Sequence, residues 1–465
     1  MAYTFAFLFF SVLYTFAGSQ SSSNGDEKQV PYPYLEKSGF GVPKIEIPEE
    51  IIRSWAQYSP AYPLAPYDVP ERCTVTQIQR HGARFPTIGA AARMATAILN
   101  AQQATAYLDP AFEFIKDWEY DLGYDDLISY GASQSFETGE ETYKRYSTLV
   151  SQDNVPFVRA SDGTRVVLSA TNWTDGKYIH LISLGYDSEN RKGFAYASSG
   201  IFIPSAPLLI SESGNDTLDD KMCPNAGDSD TQTEQWQDVF APAIVERFQK
   251  VLPGSTLTNA DIPNLIALCA FDTLYKEVQS PWCGLFTLED YWDYEYYGAL
   301  DKYYNTGYGQ KLGPVQGVGY VNELLARLTG TPVVDETQTN RTLDSSPITF
   351  PLDRTIYADF SHDNEMIAIY AALGIFRQPT PLDPRKRVED RTWITSHLVP
   401  FNSKFVTERL LCDGVESVRM LLNDGVVPLN DVCNAGDDGI CTLEAFVDSQ
   451  SYSRNNGEGD WQECF

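Results

Sequence analysis

Two rhythms of apolar and polar positions run along this chain. Residues 73–79 (CTVTQIQ) are short, β-branched and bounded by polar residues, and 155–160 (VPFVRA) and 354–360 (RTIYADF) read the same way. These three segments predict strands. Elsewhere apolar residues recur every three to four positions over longer runs. That period predicts helices over 88–108, 131–150, 232–251, 261–277, 288–303, 322–328 and 365–373, with another opening at Arg165–Leu168. Residues 307–320 are Gly-rich and separate two of them. Strands set among helices, with a helical block over about 211–345, predict an α/β sheet domain carrying a mostly helical second part.

The two ends of the pattern set the compartment. Residues 1–19 (MAYTFAFLFFSVLYTFAGS) hold an apolar core from Phe5 to Phe16, followed by small residues at Ala17 and Ser19. That core has the length of a secretory leader and is too short to cross a bilayer, so cleavage is expected after Ser19. Residues 20–70 are polar and then rich in Pro and Tyr, and are expected to wrap the surface as an extended arm before the body at 71–465 begins. The helical subdomain is expected from about 88–150 and 211–345. Eight cysteines and no C-x-x-C motif favour disulfides over a zinc cluster in a secreted chain. Sequons stand at Asn172, Asn215 and Asn340. The reading is of a secreted, extracellular glycoprotein and a monomer.

Charge narrows the partners. Lys and Arg total 34 against 63 Asp and Glu, a net charge of -29. A chain this acidic is repelled by a nucleic-acid backbone and by anionic membranes, so neither partner is expected. The balance suits a protein that works at low pH.

The chemistry concentrates in Arg80-His81-Gly82-Ala83-Arg84-Phe85-Pro86, at the end of the first predicted strand. Ligands of open α/β sheets gather at that position. A neutral His81 can act as a nucleophile. Arg80 and Arg84 carry permanent charge in a fork that fits phosphate oxygens, and they disfavour protonation of the imidazole between them. Gly82 admits a close backbone approach. The pair His362-Asp363 ends the strand 354–360 in the same manner. His180 and His397 have no motif around them and read as structural or exposed.

The heptad, with VPFVRAS (155–161), LGPVQGVGYVNELLARL (312–328), LDSSPITFPLDRTIYADFSHDNEM (343–366) and GDWQECF (459–465), resembles the histidine acid phosphatases, and within them the fungal branch that includes secreted phytases. The resemblance runs from about residue 36 to the C-terminus. It implies a histidine-phosphatase fold, an α/β sheet domain of the phosphoglycerate-mutase type with an inserted helical domain. It implies His81 as nucleophile, Asp363 as proton donor, and Arg80, Arg84, Arg159 and His362 as the phosphate-binding groups, with Arg165 left structural. It implies that Lys302 reaches substrate phosphates, that neither metal nor other cofactor takes part, and that the disulfides are Cys73–Cys412, Cys223–Cys464, Cys269–Cys283 and Cys433–Cys441.

The implied reaction is phosphomonoester hydrolysis through a phosphohistidine, with phytate (myo-inositol hexakisphosphate) as the expected substrate. Two departures bear on selectivity: Asp301 stands where some relatives carry a second Lys, and the loop after the heptad offers only Arg93. A broad acid phosphatase is the competing expectation, and a non-catalytic phosphate-binding glycoprotein the third.

Overall fold

The computed structural model describes residues 47–66, 73–175, 193–412 and 414–465. The expected leader, part of the arm and His180 lie outside the described residues.

Among the described residues, eight strands form one sheet: β1 Cys73–Arg80, β2 Phe157–Ser161, β3 Leu208–Ile210, β4 Ile356–Ser361, β5 Lys404–Cys412, β6 Val415–Leu422, β7 Gly425–Val426 and β8 Cys441–Thr442. The order is β3-β2-β4-β1-β5-β6-β7, with β8 on β6. The first four pair in parallel, and β1 then pairs antiparallel with β5, as β5 does with β6. Parallel strands are covered on both faces, which explains why every residue of β4 is buried, Asp359 included.

The longer helices are α1 Ile88–Gln102, α2 Ser129–Tyr146, α3 Thr164–Asp175, α4 Asp230–Val251, α5 Ile262–Lys276, α6 Leu288–Asn305, α7 Val318–Thr329 and α8 Asp363–Leu373. Local chemistry sets their starts. Thr87 caps α1, accepting from the Ala90 amide, and Thr287 with Asp290 forms a capping box on α6. Gly330 and Gly374 end α7 and α8 in the left-handed region. The largest core gathers side chains of α1, α4–α8 and β5–β6, while a smaller one joins β2 and β4 to α3. Residues 404–422, for which the sequence suggested no element, form the antiparallel hairpin of β5 and β6.

Three expectations need correction or completion. The arm is anchored in the core where it is described: Trp55 and Ala56 are fully buried while Pro48, Glu50 and Pro66 stay exposed, since a Trp against the core removes a large apolar area from water. The sequon at Asn172 falls inside α3, where its amide donates to the Leu168 carbonyl at 2.7 Å and Trp173 and Thr174 are fully buried, so the folded surface does not present it. Asn215 is exposed and donates to Thr339 O at 3.0 Å, which sets the sequons at Asn215 and Asn340 side by side. Disulfides join Cys223–Cys464, Cys269–Cys283 and Cys433–Cys441. The side chains of the fourth expected pair, Cys73 with Cys412, lie outside the described residues.

Candidate active site

β1 and β4 are neighbours and run parallel, so Arg80 and Ser361 end side by side in register. The chain leaving β1 supplies His81 to Arg84, and the chain leaving β4 supplies His362 and Asp363 at the start of α8. The loop after β1 is held by its own backbone. His81 N donates to Ser361 O at 3.1 Å, and its carbonyl accepts from Asn402 N at 3.0 Å. Gly82 N donates to Ser169 Oγ at 3.0 Å and Ala83 N to Gln134 Oε1 at 3.0 Å. Gly82 and Gly131 of α2 lie backbone against backbone. A β-carbon on Gly82 would overlap the Gly131 carbonyl, and one on Gly131 would overlap the backbone of Ala83.

This packing fixes the tautomer of His81. Its Nδ1 lies 2.8 Å from Gly82 O. A carbonyl only accepts, so Nδ1 carries the hydrogen and Nε2 is left with its lone pair. Burial lowers the imidazole's pKa first, and Arg80, Arg165, Arg84 and His362 lower it further, so the ring stays neutral well below pH 6.5.

Three guanidinium groups surround His81. Arg80 is fully buried, with Nη1 donating to the carbonyls of Gln57 and Val399 and the group stacked 4.6 Å over the Phe401 ring. Burial lowers it to about 10, against the pull of Asp363. Arg84 donates to Phe85 O at 2.7 Å. The third is Arg165, in the first turn of α3, whose Nη2 lies 3.3 Å from His362 Nδ1 and whose Nη1 lies 4.0 Å from Asp125. Among the described residues, the Nε atoms of Arg80, Arg84 and Arg165 are buried without a hydrogen-bond acceptor, and Nη2 of Arg80 has only Asp363 beside it. Three buried donors left open around one imidazole suit an anion with several oxygens.

Asp363 lies 3.1 Å from Arg80 Nη2 and 3.1 Å from Lys302 Nζ. Burial works to raise its pKa, but Arg80, Lys302, Arg84 and His81 together hold the carboxyl well below the usual carboxylate range. Lys302 is buried rather than solvated. Its ammonium donates to Asn364 Oδ1 at 2.7 Å and lies 3.2 Å from Asp301. His362 stands T-shaped to His81 with ring centroids 5.7 Å apart, and its Nε2 is 3.0 Å from Glu212.

Arg159 is the expectation the structure overturns. It pairs in register with Asp359 inside the sheet, donating to it at 2.8 and 3.1 Å and to Glu323 at 2.6 Å, and is 1% exposed. A guanidinium in the middle of a buried strand must be neutralised where it lies, so it cannot also face the site. Arg165 takes the place expected of it. The sequence held a signal for this: Arg84 stands four residues past the end of β1, and Arg165 four past the end of β2. Glu212 and Asn364 were also missed, having no motif of their own.

Among the described residues, the trio whose donor atoms could gather on a metal ion is Glu212, Asp219 and His362, within 4.8 Å of one another. Lys221 Nζ already lies 2.6 Å from Glu212 and 3.1 Å from Asp219. No helix among the described residues is long and apolar enough to cross a membrane.

Residues 74–423 match the Histidine phosphatase superfamily (branch 2). The chain belongs to this family. It is 38% identical to Phytase A of Aspergillus oryzae over 431 residues, covering 88% of this chain and 90% of that one. Against Phytase A of Aspergillus awamori the identity is 39% over 433 residues, with the same coverage. In fold this histidine phosphatase resembles the phytase from D. castellii, with a TM-score of 0.67 at 20% identity over 90% of both chains. It also resembles a Bifidobacterium longum multiple inositol polyphosphate phosphatase, with a TM-score of 0.59 at 14% identity over 84% of this chain and 96% of that one.

Proposed function

We propose that this histidine phosphatase is a secreted acid phosphomonoesterase that hydrolyses phytate to lower inositol phosphates. The observation that carries the chemistry is the His81 imidazole, its Nδ1 tied to Gly82 O and its Nε2 free among Arg80, Arg84 and Arg165. The substrate comes from the Phytase A relatives, which align over 88% of the chain.

The phosphoryl oxygens engage the three guanidiniums, which offset the charge that develops during transfer. His81 Nε2 bonds to phosphorus as the phosphorus–ester oxygen bond breaks, leaving a phosphohistidine. The departing alkoxide takes a proton from Asp363. Water then attacks the phosphohistidine and passes a proton to the Asp363 carboxylate, and phosphate leaves with that proton, restoring His81 and the ionised Asp363.

The geometry gives a reason for acid operation. In the free site Arg80 and Lys302 keep Asp363 ionised. Near pH 5 a phosphomonoester is largely a monoanion, its second pKa being about 6. It therefore brings a proton, and its charge draws the guanidiniums away from the carboxylate that receives it. Above that pH the ester arrives as a dianion without the proton.

A broad acid phosphatase is the second reading, favoured by the carboxylates beside the cations: Asp301 at 3.2 Å from Lys302 and Asp125 at 4.0 Å from Arg165. These oppose a ring bearing many phosphates. The test is phosphate release at pH 5 in EDTA, with phytate beside p-nitrophenyl phosphate. Strong release from phytate is expected. Release from the aryl ester alone would keep the mechanism and give the substrate to the second reading.

A further inference from the structure

We propose that Glu212 is a positioning residue for this reaction: it holds His362 so that Nδ1 faces the transferring phosphoryl group and donates to it. The inference rests on the phosphatase reading above and adds to it a residue outside both sequence motifs.

Glu212 follows β3, the outermost parallel strand. Its Oε1 lies 3.0 Å from His362 Nε2 and accepts from Ser161 Oγ at 3.1 Å, its Oε2 pairs with Lys221 at 2.6 Å, and its amide donates to Asp162 Oδ1 at 3.1 Å. The carboxylate is therefore held by three partners, and the backbone that carries it by a fourth. It stays ionised across the acid range, because the hydrogen bond to His362 and then Lys221 pull it down against burial. Room for this contact is made by the absence of a side chain. A β-carbon on Gly163 would stand 2.5 Å from Glu212 Oε1 and 3.6 Å from His362 Cε1.

A carboxylate only accepts and a guanidinium only donates, so in the free site Nε2 of His362 carries the hydrogen and Nδ1 accepts from Arg165 Nη2, 3.3 Å away. With a lone pair on Nδ1 the ring repels a phosphoryl oxygen. With a proton there it donates a charge-assisted hydrogen bond. Other charged groups face the ring too: Asp219 at 3.9 Å with Asp216 behind it, Arg165 from α3, His81 from the end of β1, Asp363 in the chain itself, and Lys221 through Glu212. The Glu212 carboxylate makes the shortest of these contacts with the ring, 3.0 Å, so it does most to fix which way the ring faces when the phosphoryl anion arrives.

The test compares Glu212→Gln and Gly163→Ala with the parent enzyme on p-nitrophenyl phosphate and phytate across pH 3–7. The amide keeps size and can still accept from Nε2, but lacks the charge. We expect kcat to fall about tenfold or more, as for outer partners of catalytic histidines. The alkaline limb of the profile should move acidward by about one unit, with KM and Tm little changed. Gly163→Ala should do the same, and the double variant should be no worse than Glu212→Gln. A Glu212→Gln enzyme with the parent's rate and pH profile would overturn the inference. So would a loss equal at every pH and matched by a fall in Tm. A readout free of turnover is the ¹⁵N spectrum of His362 with inorganic phosphate titrated in. Phosphate should protonate Nδ1 in the parent and not in Glu212→Gln. If the parent hydrolyses neither ester while this titration behaves as expected, the phosphatase reading fails and takes the catalytic role with it, leaving Glu212 as the residue that orients His362 toward a bound anion.

Discussion

Two clusters of arginine lie a few residues apart in this protein and differ in what surrounds them. In the interior cluster Arg159 and Arg327 share Asp359, Arg327 donating at 2.5 and 3.3 Å, while Arg159 also reaches Glu323. Both stack over the Phe350 ring, at 5.3 and 5.0 Å. In the cluster around His81, among the described residues, three guanidiniums meet Asp363 at 3.1 Å and Asp125 only at 4.0 Å, and leave Nε donors open. The first arrangement holds two charges that are already answered, and it braces β2 against β4 and α7. The second keeps cationic capacity in reserve. Arginine content and strand position did not separate the two; the count of acceptors around each group does.

The comparison can be broken by substitution. The largest expected effect is His81→Ala, which should cost at least about 10⁴-fold in kcat on every ester with Tm unchanged. Turnover surviving it would remove the phosphohistidine. Next, Arg165→Ala should lower kcat/KM by about 10²–10³-fold with little change in Tm. Arg159→Met should do the reverse, costing roughly 3–5 kcal/mol in denaturant unfolding with kcat per folded molecule nearly intact. Equal effects of the two in either assay would erase the distinction between the clusters. Asp363→Asn should slow phytate about 10²-fold or more and p-nitrophenyl phosphate much less, since nitrophenolate departs without a proton. Equal slowing of both would give Asp363 another task.

The smallest effect concerns pH and stability. Burial raises Asp216 and Glu295 to about 7, and Glu365 rises well above its usual value through burial and the acids at Asp220, Asp219 and Asp216. A carboxyl whose folded pKa is raised binds its proton more tightly folded than unfolded. Its contribution is present below the unfolded value near 4 and is lost as pH rises through the folded one. His397, lowered to about 4 by burial and by Arg53 and Arg391, works the other way between pH 4 and 6.5. Above 6.5 that opposition is spent, so Tm should fall by about 5 °C between pH 6 and 8. A flat or rising Tm over that interval would contradict the assignment.

Much of this was legible in the sequence, for physical reasons. The strands 73–79 and 354–360 were readable because β-branched residues mark them, and the heptad because its residue types have few other uses together. Helix ends landed within a few residues where a cap or a glycine marks them, as at Thr87, Thr287 and Gly374. The choice between Arg159 and Arg165 was not readable from residue type. It depends on the register that sets Arg159 opposite Asp359, a contact across 200 residues. The hairpin of β5 and β6 was missed because buried Glu408, answered by Arg419 and Tyr146, interrupts the apolar pattern. Glu212 was missed because it belongs to the site only through the third dimension.

The close approach of Gly82 and Gly131 has a consequence for anyone wishing to redesign this enzyme. In each case the obstruction is main chain, not side chain, so no second substitution can make room for the first. The pair therefore behaves as a single forbidden move in sequence space, and libraries that randomise the loop after β1 together with the first turn of α2 should return glycine at both places or nothing.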